Sequence, residues 1–247
     1  MIKKHHYLML FIALFIGCTI DSEDAQSIVD KSINTHGGEL FENSIIEFDF
    51  RGRHYMFERD NGEFKYHRLF DDSLGKFHDI FTNNDFKRLL NNQEQNVTEK
   101  WKKRYSTSIN SVAYFALLPF GLNDAAVNKK LIGEEEIKGK NYYKVKVTFN
   151  QEGGGEDFED VFVYWICKES YQMDYFGYYY KNDGGGIRFR EAINGRKKGG
   201  ILLSDYKNYI GPDGLEDVGK MAEMFKKDQL KLLSEIKLEN LEIKRYK

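Results

Sequence analysis

Between residues 143 and 209 the sequence repeats one pattern with no helical stretch to interrupt it. Tyr143, Val145, Val147 and Phe149 alternate with Lys144, Lys146 and Thr148, and apolar-rich segments follow at 158–167, 171–180, 187–193 and 201–209. Alternation with a period of two is the signature of a strand with one buried face. Turn residues separate the segments, and no gap could hold the long crossover that parallel neighbours need. The segments therefore pair as an antiparallel meander. The chain has only two prolines, Pro119 and Pro212, and both fall outside these strands.

The first half adds a hairpin. Asp60-Asn61-Gly62 is a strong two-residue turn signal, because Asn and Gly tolerate the left-handed backbone such turns require. With Asn61 and Gly62 as the turn, Phe57 falls opposite Tyr66 and Tyr55 opposite Arg68, with Phe64 and Phe70 on the same face. His54, Met56, Lys65 and His67 take the other face. Just before it, the apolar residues switch from even positions (Ile46, Phe48, Phe50) to odd ones (Tyr55, Phe57). A bulge at Gly52 would absorb that slip.

Residues 23–36 carry Ala25, Ile28, Val29, Ser32, Ile33 and His36 at helical spacing, with Asp21 or Ser22 as cap and Gly37-Gly38 as the stop. Residues 109–122 are the most apolar internal stretch and suit a short helix buried nearly all round. Residues 232–246 read as a closing strand, although Leu238 and Leu241 break strict alternation. The expected fold is α+β: one large, strongly curved antiparallel sheet, a half-barrel, with one or two helices on its concave face.

The N-terminus carries an address. Lys3 and Lys4 precede an apolar run at residues 7–16, then Gly17 and Cys18, followed by acidic, polar residues. The run is about half the roughly 20 residues a spanning helix needs, so it reads as a secretory signal. A small residue directly before Cys resembles a bacterial lipoprotein signal. The expected division is a signal at 1–17, a lipidated Cys18 and tether at 18–24, and one domain at 25–247. Two or three acyl chains on Cys18 would hold the body on a membrane of the cell envelope, on the periplasmic or surface face of the outer membrane. Cys167, the other cysteine, lies in an apolar run and reads as a core residue. A net charge of −2 gives no basic patch for nucleic acid.

The chain also resembles a family of uncharacterised lipoproteins from Gram-negative bacteria. The resemblance is carried by Ile28-Val29-Asp30-Lys31 with His36-Gly37-Gly38, by Phe48-Asp49-Phe50-Arg51 with His54-Tyr55, and by Asn110-Ser111-Val112-Ala113-Tyr114-Phe115-Ala116-Leu117-Leu118-Pro119. Residues 131–139, 147–165, 188–192 and 234–236 match as well. It covers nearly all of the mature chain and implies a domain of unknown function. Some members bear a deoxyribose-phosphate aldolase label. That enzyme type is a barrel of alternating strands and helices with a Schiff-base lysine, which this meander does not suggest. More distantly, a helix followed by a curved antiparallel sheet is similar to lipoprotein-localisation carriers, half-barrels that hold acyl chains in the concave face. That likeness is one of fold alone.

Aromatic residues make up 15% of the chain, with 19 Phe and 16 Tyr. They either fill the core of a wide sheet or line a ligand cavity. In the second case Tyr55, Phe57, Tyr66 and Phe70 form the wall, and Tyr114 and Phe115 belong to a lid. Arg188 and Arg190 share a strand face, with Arg51, Arg53 and Arg68 on neighbouring strands. Such arginines read a carboxylate or phosphate headgroup, or simply pair across strands. His54 and His67 are diagonal neighbours without a third ligand, so no metal and no cofactor is expected. The acidic triglycine loops at 153–155 and 184–186 should lie at one end of the meander and read as mobile turns. No catalytic constellation such as GxSxG or HExxH is present. The reading is a non-enzymatic, lipid-anchored carrier of an apolar ligand. Its rivals are an envelope hydrolase using His, Asp or Arg of the concave face, and a ligand-free interaction module.

Overall fold

The computed structural model describes residues 23–181 and 184–246. Cys18 and the expected signal lie outside the described residues. The chain opens with helix α1 (Ala25–His36), whose buried residues are Ala25, Ile28, Val29, Ser32, Ile33 and His36. The cap is Asp24, whose side chain accepts from the Ser27 amide at 2.7 Å, not Asp21 or Ser22. Gly37 and Gly38 end the helix at φ of 142° and 56°, conformations that glycine adopts without strain. Glu23 is bonded by Lys31 and by the Tyr171 hydroxyl, so it is tied to the body.

Strands β1 (Asn43–Phe50), β2 (Arg53–Asp60), β3 (Glu63–Asp72), β4 (Gly75–Thr82), β5 (Phe86–Leu90) and β6 (Gln93–Glu94) form a meander. The β2–β3 hairpin has the expected register, with Tyr55 opposite Arg68 and Phe57 opposite Tyr66. Asn61 and Gly62 sit at φ of 48° and 89°. Gly52 is not a bulge. Arg51 and Gly52 form a second tight turn, with Phe50 opposite Arg53, so the change of phase marks two strands rather than one kinked strand.

Helix α2 (Glu99–Leu117) starts ten residues earlier than the apolar stretch implied. Its first turns are polar and outward-facing, so they carry little apolar periodicity, although Tyr105 packs on Phe86. Strands β7 (Val127–Ile137), β8 (Lys140–Phe149), β9 (Val161–Cys167), β10 (Met173–Tyr180), β11 (Gly186–Lys198) and β12 (Ile201–Ile210) form the second meander, all antiparallel. A short helix α3 (Met221–Lys226) then precedes β13 (Lys231–Ile236) and β14 (Glu239–Arg245).

These last two strands correct the expectation of a single closing strand. β13 pairs with β12, and β14 pairs with β1. The strands therefore divide into two seven-stranded sheets, and the chain steps from the edge of one to the edge of the other at Leu238. That step is the break in alternation. Asp205 holds it: it accepts from both Arg196 terminal nitrogens at 2.8 and 2.7 Å and from the Leu238 amide at 2.9 Å. The architecture is an α+β antiparallel half-barrel, unlike the parallel barrel of an aldolase.

α2 lies inside and belongs to two cores. Ile109, Ala113 and Leu117 join Phe48, Tyr55, Phe57, Tyr66 and Phe86 of the first sheet. Tyr114 and Phe115 pack against Phe162, Tyr164 and Phe176 of the second, beside α1. The Tyr114 and Tyr164 hydroxyls share a hydrogen bond at 2.8 Å. The outer face of the second sheet, with Trp165, Phe189 and the buried free Cys167, is covered by α3 and Val218.

Candidate ligand cavity

Two clefts open beside α2 where it faces the second sheet. The first, about 480 Å³, has α2 residues Val112, Phe115 and Ala116 on one side. Tyr178, Arg188, Arg190, Tyr206 and Asn208 of β10–β12 face them, and Leu233, Ile236 and Leu238 close one end. The second, about 600 Å³, runs past Tyr114, Phe149, Phe162 and the triglycine loop at 153–155. Ser111, Phe115, Asp157 and Asp160 line both, so the clefts meet at this partition. Each volume falls within the roughly 300–1,000 Å³ of ordinary small-molecule sites.

The first cleft has an apolar body and a cationic wall. Arg190 is 7% exposed and its guanidinium lies 4.2 Å from the Phe115 ring centre and 5.3 Å from those of Phe176 and Tyr178. Burial, and in smaller part the nearby charge of Arg51, holds Arg190 below the ordinary guanidinium range. Arg188 donates to the Tyr180 hydroxyl at 2.8 Å. At the partition, burial pushes the Asp160 carboxyl up to about 7, with Asp157 adding to the effect.

The residues singled out from sequence separate into two groups. Phe115, Arg188 and Arg190 line the first cleft, and Tyr114 and Phe115 the second. Tyr55, Phe57 and Tyr66 do not line either one. They face α2 and pack beneath it, because the helix occupies the concave surface of the first sheet. Arg68 is buried against Asp79, donating from Nε at 2.9 Å and Nη2 at 2.7 Å, and Phe70 stacks on Phe77 outside both clefts. Arg68 and its partners are thus a cross-strand ion pair. His54 and His67 do not converge on a shared site either: His54 contacts Asp49, whereas His67 sits between Glu58 and His78. Among the described residues no group of three or more His, Cys, Asp or Glu is placed to hold a metal ion. Sequence reasoning missed Val112, Tyr178, Tyr206, Asn208 and Ile236. Tyr178 sits at the same parity as Phe176, and Tyr206 and Asn208 share a strand face, so period-two alternation was the available signal.

A half-barrel of antiparallel strands around an inner helix, with an open cleft between helix and sheet, defines the class. The fold is similar to that of a LolA superfamily protein from Nitrosomonas europaea. The TM-score is 0.50 at 11% identity, over 78% of this chain and 88% of that one. A DUF1329 family protein from Desulfovibrio piger aligns over 75% of this chain and 86% of its own, with a TM-score of 0.47 and 15% identity. By sequence the chain belongs to the family of unknown function DUF6503, which it matches over residues 4–240. No curated protein matches it significantly.

Proposed function

We propose that the protein binds and carries a hydrophobic ligand in the cleft between α2 and the second sheet, anchored to a membrane of the cell envelope through Cys18. The observation that carries this reading is the first cleft itself. It is a concave space with an apolar side formed by Val112, Phe115, Ala116, Leu233, Ile236 and Leu238, and it meets the second cleft at the partition. Apolar surface of this kind is covered favourably by an apolar ligand, at roughly 25 cal/mol per Å² removed from water. The half-barrel fold of the LolA superfamily supports the same reading. No helix among the described residues is long and apolar enough to cross a membrane, and the proposed anchor rests on the lipoprotein-like signal that ends at Cys18. The hydrolase alternative would draw on Asp157, Asp160, Arg188 and Arg190, which line the clefts beside Arg51.

The test is native mass spectrometry of residues 23–246, which hold every described contact, exported into the periplasm of a Gram-negative host and purified without detergent. A stoichiometric adduct of lipid mass, recovered by organic extraction, supports a carrier. A clean apo mass, with no uptake of the uncharged fluorescent probe N-phenylnaphthylamine, contradicts it.

A further inference from the structure

Two arginines are buried among the described residues, and they are held in opposite ways. Arg68, 3% exposed, is bonded to the buried Asp79 carboxylate, which also accepts from Arg88 at 2.6 and 2.9 Å. Arg190 has no carboxylate within ion-pair distance among the described residues. Its guanidinium makes one side-chain hydrogen bond, from Nη2 to the Tyr178 hydroxyl at 3.1 Å, and its buried Nε has no partner. The aromatic rings around it offer a cation–π attraction that is weaker than an ion pair, whereas removing a charge from water is costly. Among the described residues this buried guanidinium therefore has no counter-charge.

The surroundings deepen that deficit. Arg188 and Arg51 line the same cleft, and neither has a carboxylate partner among the described residues. Asn208 lies directly opposite Arg190 in the β11–β12 ladder, is also buried, and leaves its side-chain oxygen without a partner. Its Nδ2 donates to the Ser234 hydroxyl at 3.2 Å. A hydroxyl both donates and accepts, so a half-turn of the Asn208 amide keeps that bond and puts the NH2 group where the unpartnered oxygen lay. Arg188, Arg190 and Asn208 then form one donor-rich end, and Val112, Phe115, Ala116 and Ile236 one apolar body.

Resting on the carrier reading, we infer that the ligand is an anionic amphiphile: a carboxylate or phosphate headgroup at Arg190, Arg188 and Asn208, with its acyl chain along α2. Arginine's fork matches either anion. The Asp157 and Asp160 side chains lie at the partition with the second cleft and so mark the other side of the site.

The experiment measures displacement of N-phenylnaphthylamine from the protein by three ligands with the same chain: palmitate, hexadecyl phosphate and hexadecanol. Both anions should displace it at concentrations at least about tenfold below hexadecanol, the scale of one charge-assisted hydrogen bond. The better of the two anions identifies the source, a free fatty acid or a phosphate-bearing lipid. Arg190→Met should bring the anions to within about twofold of hexadecanol and leave hexadecanol itself unchanged. The same variant should melt at a higher temperature than the parent, since it removes a buried charge that no carboxylate among the described residues neutralises. Arg188→Gln, at a half-buried position, should weaken the anions in the same direction and serves if the first variant misfolds. Equal displacement by hexadecanol and the anions, or equal loss of all three in Arg190→Met, overturns the headgroup assignment while leaving the carrier reading intact. Failure of the parent to take up the probe overturns both.

Discussion

The Arg190 guanidinium lies 4.2 Å from the centre of the Phe115 ring, so one residue of α2 and one of β11 meet across the cleft. Phe115 also lines the second cleft and is half-buried. Phe115→Ala should therefore cost about 2 kcal/mol of stability and merge the two spaces. Urea unfolding reads the first effect. Native mass spectrometry should show two-chain lipids retained better by the variant than by the parent.

Asp79 joins Arg68 and Arg88 in a buried network on the first sheet, away from both clefts. Asp79→Ala leaves the buried Arg68 charge without its carboxylate, a loss on the order of 3–5 kcal/mol. Denaturant midpoints should fall accordingly. Probe affinity, measured where the variant is still folded, should stay within about twofold of the parent, because additivity holds for distant sites.

His67 sits between Glu58 and His78, buried on the outer face of the first sheet, with Lys65 nearby. Burial, reinforced by His78 and Lys65 and opposed by Glu58, lowers its pKa from 6.5 to about 4. Between those values the unfolded chain binds the extra proton. Stability is thus complete above about pH 6.5 and falls as pH drops towards about 4, by on the order of 2–3 kcal/mol. Burial lowers His36 and, in part, His78 as well, which adds in the same direction. Urea midpoints at pH 7 and pH 5 check this, and His67→Asn should shrink the difference between them.

The seam between the sheets depends on one carboxylate. Asp205 ties Arg196 of β11 to the Leu238 amide at the crossing from β13 to β14. Neighbouring electropositive groups hold its carboxyl below the usual range in spite of burial. Asp205→Asn should cost about 1–3 kcal/mol. Hydrogen exchange should rise first in β13 and β14, since both are edge strands.

The meander, the β2–β3 register and the buried face of α1 were legible because each rests on a local rule: period two, Asn-Gly turn chemistry, or period 3.6 with a glycine stop. The split into two sheets was not, because a step of one strand between sheet edges at Leu238 is a long-range choice with only a broken alternation to mark it. The candidate cleft was half legible. Phe115, Arg188 and Arg190 were visible as an apolar helix residue and two same-face cations. Tyr55, Phe57, Tyr66 and Arg68 share the same sequence signature, but α2 covers their sheet and Asp79 neutralises the arginine. Whether a concave face is filled depends on where a helix docks, and no local pattern encodes that.

Photo-crosslinking with a diazirine-bearing palmitate, followed by peptide mapping, tests the carrier account most directly. The account predicts labels on α2 around Val112–Ala116 and on β10–β13 around Tyr178, Tyr206 and Ile236, abolished by excess unlabelled palmitate. Labels confined to the outer faces of the sheets, or unaffected by competitor, would contradict it.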